Sequence, residues 1–148
     1  IGLVWANHHS MFVHIRRTDR KLMFFNILLM ADVAFLPFPT ELLAHAFQVT
    51  SDIKAATFFY GLTITLGGLA HNAIWLYASR HPELLSPSVS KQFIVNMRNH
   101  LLLGPLSYGG CTLLSLASPW LAIIGYAALI VFYWLPPKGE KAVASTNL

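Results

Sequence analysis

Charge is what this sequence has least of. Only six of its 148 residues are acidic and ten are Lys or Arg, so charged side chains make up 11%. A soluble domain of this length carries about 25%, and that class is thereby excluded. Cysteine is nearly absent as well: the single Cys111 cannot close an intrachain disulfide and says little about redox compartment. No G-x-S-x-G, H-E-x-x-H or Gly-rich phosphate loop occurs. That leaves no constellation for hydrolytic, nucleophilic or phosphate chemistry, and the chain does not read as an enzyme. Linker-like stretches between the apolar runs are missing too, so one domain is the natural reading.

What is present is hydrocarbon. Apolar residues make up 55% of the chain, mean hydropathy is +0.56, and the apolar runs are long and nearly free of charge. The fold class is therefore all-α, a polytopic helical membrane protein with about five spans. Residues 22–44 and 55–79 are long enough to cross, with further spans over 100–118 and 120–135 separated by a tight break at Ser118-Pro119. Residues 1–15 make about 22 Å of helix, short of a hydrocarbon core of about 30 Å. They begin on Ile and lack signal-peptide features, so they are expected to be the end of a span whose start lies upstream. Residues 80–99 read as a polar connector with a short surface helix from Ser88, and 136–148 as a polar tail.

The basic residues set the topology. With alternating spans, Arg16, Arg17, Arg20, Lys21, Arg80, Lys91, Arg98, Lys138 and Lys141 fall on one side, and Lys54 alone on the other. Such a bias puts the turn at residues 16–21 and the C-terminus in the cytoplasm. Basic residues flanking spans meet lipid headgroups, so the pI of about 9.5 does not indicate nucleic-acid binding.

Polar side chains within hydrocarbon are costly and usually have a partner or a task. Asp32 sits near the middle of 22–44, the most expensive depth for a carboxylate. It reads either as a cation- or proton-facing acid or as a protonated acid bonded to a neighbouring helix. His71 and Asn72 read as interhelical hydrogen-bonding residues, with Asp32 and His71 as parts of a relay in the sharper alternative. Seven histidines invite a haem reading with His71 and His100 as ligands. Yet no i,i+3 or i,i+4 histidine pair and no Cys partner occurs, so neither metal nor cofactor is assigned. Asp19 is expected to cap a helix or pair locally, and Pro37 and Pro39 to kink or end theirs. Trp5, Trp75, Trp120 and Trp134 fall near span ends, as an aromatic belt would.

Trp5, His8, His9 and Phe12 give the order W-x-x-H-H-x-x-F. A basic turn containing Asp19 follows, then Asn26, then Pro37-Phe38-Pro39-Thr40. This order resembles the bacterial members of the transmembrane protein 175 family, potassium-permeable channels related to the lysosomal potassium channel of animals. The resemblance is dense over residues 5–40 and looser from 55 to 135. It implies a six-helix subunit of a homotetramer in the plasma membrane, with both termini cytoplasmic and K⁺ conducted passively. The residues here match the second to sixth helices; the family's first helix, which lines the pore, has no counterpart among them. Trp5, His8, His9 and Asn26 are then expected to brace that helix. A proton- or ion-coupled small transporter and a non-conducting accessory subunit are the alternatives.

Overall fold

Asp19 begins the first long helix. The computed structural model describes residues 1–48 and 52–134, and in it the Asp19 carboxylate accepts from the Leu22 N–H at 2.8 Å, capping one orphan donor. The helices are α1 (Gly2–Phe12), α2 (Arg20–Phe35), α3 (Pro37–Ala46), α4 (Ile53–Arg80), α5 (Lys91–Leu114) and α6 (Pro119–Trp134), with a single 3-10 turn at Pro82–Leu84. Among the described residues the only strand-like pairing is an isolated bridge between Ile15 and Leu85. The chain is all-α. Residues 135–148, with Lys138, Lys141 and the tail, lie outside the described residues.

Two stretches, Arg20–Ala46 and Ile53–Arg80, are long and apolar enough to cross a membrane. Pro37 opens α3 directly after the single residue Leu36, where a missing N–H costs least. The two prolines therefore interrupt the helix without reversing it. Thr40 back-bonds the Leu36 carbonyl through Oγ1 at 2.8 Å. Pro119 starts α6 in the same way, at the break read from Ser118-Pro119.

Helix α4 is the axis of the bundle and packs against α2, α3, α5 and α6. Its buried residues include Ile53, Thr57, Gly61, Gly67, His71, Ile74, Trp75 and Ala78, a repeat of three and four that marks one packed face. Two expectations fail here. Trp75 is no belt residue: it is fully buried, its indole Nε1–H donates to the Ile94 carbonyl at 3.3 Å, and Phe93 meets its ring edge-on at 6.2 Å. Nor does α5 start at His100 or at Ser88. Ser90 caps it, accepting from the Phe93 N–H at 3.1 Å, and the helix then runs unbroken from Lys91 to Leu114.

The helix crossings depend on missing side chains. A Cβ at Gly61 would run into the Tyr126 hydroxyl, and one at Gly68 would lie 3.4 Å from the Pro105 ring. Close approach at Gly68 has a specific consequence. Pro105 lies inside α5 and has no N–H for the carbonyl four residues earlier, that of Leu101. Asn72, on α4, donates its Nδ2 to that carbonyl at 2.7 Å and to the Gly68 carbonyl at 3.0 Å. The amide supplies the donor that proline removed.

A double-mutant cycle tests this directly. Asn72→Ala should cost about 1 kcal/mol of stability by thermal unfolding in detergent. Against a Pro105→Ala background, which restores the helical donor, the same change should cost clearly less. Equal costs in both backgrounds would show that Asn72 does not serve the proline gap.

Candidate functional site

The polar residues of the bundle centre gather around one cavity of about 140 Å³. Asp32 reaches it from α2, His71 and Asn72 from α4, His100 and Tyr108 from α5, and Tyr133 from α6. Gly67 is the reason that Asp32 fits, because a Cβ there would strike the carboxylate. His71 follows one turn later on the same face and is 7% exposed. Its Nε2 is buried without a hydrogen-bond partner, as is the Tyr133 hydroxyl. Asn72, by contrast, is engaged by the two carbonyls described above. The two neighbours thus divide: Asn72 bonds across to α5, while His71 turns toward α1.

Around His71 lies a second polar group. His8 Nε2–H donates to the Asn26 side-chain oxygen at 2.8 Å; an amide oxygen only accepts, so the proton sits on Nε2. The His8 ring stacks on Phe12 at 4.2 Å and meets His71 edge-on at 6.2 Å. His8 therefore ties α1 to α2 and touches α4. His9 points away and is exposed, stacked on Trp5 at 5.3 Å with the planes 8° apart. Trp5 itself is 67% exposed. A helix turns about 100° per residue, so the adjacent histidines were bound to part, and His8 is the inward one. Trp5, His8, His9 and Asn26 do not form one cluster: His8 and Asn26 pair inside, and Trp5 and His9 pair outside.

At the end bearing the basic turn, two connectors are joined. The Leu84 carbonyl accepts from Arg16 N–H at 2.8 Å, and the His14 carbonyl accepts from Ser86 N–H at 2.9 Å. The Tyr77 hydroxyl donates to the second Asp19 oxygen at 2.6 Å, and its ring lies 4.3 Å from that of His81, which pairs with Glu83 at 3.0 Å. Asp19 is thus both the cap of α2 and its tie to α4. Sequence reasoning found the cap and missed Tyr77, whose partner lies 58 residues away. It also missed the Tyr126 hydroxyl donating to Thr112 Oγ1 at 3.2 Å, with Thr65 Oγ1 3.3 Å from the same atom.

The family described as "Endosomal/lysosomal potassium channel TMEM175" matches residues 1–37, the stretch that holds Trp5, His8, His9, Asn26 and Asp32. A potassium channel of Streptomyces collinus is 32% identical over 133 residues, 90% of this chain and 65% of that protein. Over residues 1–37 the chain is similar to the TMEM175 family. A potassium channel of Chamaesiphon minutus is 29% identical over 134 residues, again 90% of this chain and 65% of that protein. The endosomal/lysosomal proton channel TMEM175 of Rattus norvegicus is 33% identical over 91 residues, 60% of this chain and 18% of its own. The chain spans about two thirds of the length of the bacterial relatives it matches, at 65% of each. The homology and the apolar helices make it a membrane protein.

The TMEM175-matching segment includes Asp19, and its geometry gives a pH dependence with a definite sign. The Leu22 N–H and then the Tyr77 hydroxyl hold its carboxyl below the usual carboxylate range. A depressed folded-state value stabilises the fold above the unfolded value of about 4 and is lost as pH falls through the folded one. Asp19→Asn should therefore flatten the acid limb of the unfolding midpoint below about pH 5. An acid limb unchanged by the substitution would remove Asp19 from this role.

Proposed function

We propose that this chain is part of a potassium-permeable cation channel subunit, passive and potassium-preferring, with its polar helix pairs serving as scaffold. The observation that carries the reading is its 32% identity to the Streptomyces collinus potassium channel over 90% of the chain. The polar chemistry agrees with it. Bundle-centre groups such as Asn72, Asn26 and Thr112 are engaged in helix-to-helix bonds, as a rigid frame around a conduction path requires. The His8–Asn26 pair braces α1 on α2, with Trp5 and His9 on the outward side of α1 available to neighbouring helices.

About five spans, a homotetramer in the plasma membrane and a cytoplasmic C-terminus complete the reading. The basic bias supports the orientation. Arg16, Arg17, Arg20, Lys21, Arg80 and Lys91 cluster around the joined connectors, and Lys54 stands at the start of α4. K⁺ and the bilayer are its partners.

One observation favours a second reading, proton- or ion-coupled transport: Asp32 and His71 line the same cavity. Bi-ionic K⁺/Na⁺ flux in proteoliposomes tests both. The full-length gene product should pass K⁺ down its gradient in preference to Na⁺, with this 148-residue chain as comparison. Flux driven by a pH gradient alone, with no passive K⁺ leak, would replace the channel with a coupled transporter.

A further inference from the structure

The cavity at the bundle centre holds a carboxylate and two buried polar atoms that nothing in the fold uses. Its lining includes neither Lys nor Arg, and the ion pair of His81 with Glu83 lies away from it, at the far end of α4. Asp32 therefore has no cationic side chain to balance it there. The Tyr133 hydroxyl and His71 Nε2 are buried with no partner in the chain, and a buried polar group left so calls for a water, an ion or a guest to satisfy it. An imidazole nitrogen accepts in one tautomer and donates in the other, so His71 Nε2 can serve a guest as a hydrogen-bonding partner.

The rest of the wall is aliphatic and aromatic. Tyr108 and Tyr133 lie nearly parallel with ring centres 6.4 Å apart, and His100 meets Tyr133 at 5.7 Å. Aromatic faces attract a cation that comes within about 6 Å of the ring. The volume of about 140 Å³ is close to that of an apolar cavity known to accept benzene, about 150 Å³. Carboxylate, imidazole nitrogen, hydroxyl and aromatic wall together call for a guest with a positive charge, N–H donors and a small apolar body. A bare alkali cation fits less well, because such ions are held by several converging oxygens and most of this wall is hydrocarbon.

We propose that the cavity between α1, α2, α4, α5 and α6 binds a small organic ammonium ion, with Asp32 as its counter-ion and His71 and Tyr133 as its hydrogen-bonding partners. All the lining residues belong to this one chain. Occupancy of the site is a binding equilibrium, read without flux, so it stands or falls independently of the channel reading.

The test is calorimetric titration of the full-length gene product in nanodiscs with benzylammonium, using benzyl alcohol as the uncharged isostere. Benzylammonium should bind saturably, one per subunit, and more tightly than benzyl alcohol. Asp32→Asn should weaken it by about tenfold or more, the loss expected for a charge-assisted contact in a desolvated site. Tyr133→Phe, which removes one oxygen and keeps the ring, should weaken it by a few-fold and serves if the Asp32 variant does not fold. No saturable binding, equal affinity for the alcohol, or affinity untouched by both substitutions would overturn the proposal.

Discussion

Pro105 removes one backbone donor from the middle of α5, and the packing of the bundle follows from how that loss is repaired. In hydrocarbon no water can serve the Leu101 carbonyl, and an unsatisfied group there costs several kcal/mol. The repair comes from a side chain on another helix: Asn72 reaches the carbonyl at 2.7 Å. That reach requires α4 and α5 to lie close. Gly68 makes it possible, having no Cβ to press on the proline ring. One missing N–H thus fixes the register of the two helices that share the longest contact in the bundle.

The same economy explains the smaller polar residues. Thr57, Thr63 and Thr65 return their hydroxyls to carbonyls four residues earlier at 2.6, 3.0 and 2.7 Å, so they enter the core of α4 without needing a partner elsewhere. Thr112 does the same at 2.7 Å and still has lone pairs to accept from Tyr126. That bond holds α6 where Gly61 lets the tyrosine ring approach. Asn26 is satisfied by His8, and Asp19 by the α2 N-terminus and Tyr77. Against this background, His71 Nε2 and the Tyr133 hydroxyl are buried without a partner, and both line the cavity that Asp32 enters.

Much of the fold was legible because composition and spacing act locally. The apolar runs gave the helices, Ser118-Pro119 gave a break, and Asp19 gave a cap, since each depends on residues within one turn. What the sequence could not reveal was rotational. Adjacent residues on a helix diverge by about 100°, so nothing local told His8 from His9, or Asn72 from His71. Trp75 misled for a related reason: its distance from the span end matched a belt, while its direction put it against Phe93 and Ile94. The Asn72–Leu101 bond was readable in principle. A proline inside an apolar helix announces an orphan carbonyl four residues back, and an asparagine in a neighbouring span is the natural donor.

The location of the cavity has a cause of the same kind. Leu36, where α2 gives way to α3 at Pro37, and Pro105, where α5 loses its donor, both border it. Proline rings displace the preceding turn and keep helices from closing fully against one another. Two such interruptions on helices flanking α4 leave a space that Gly67 and Gly68, lacking side chains, do not fill. Filling it with larger side chains would be the ordinary course in a packed core. Instead the chain places a carboxylate, an imidazole and a phenol there, and each of these has chemistry to offer a guest.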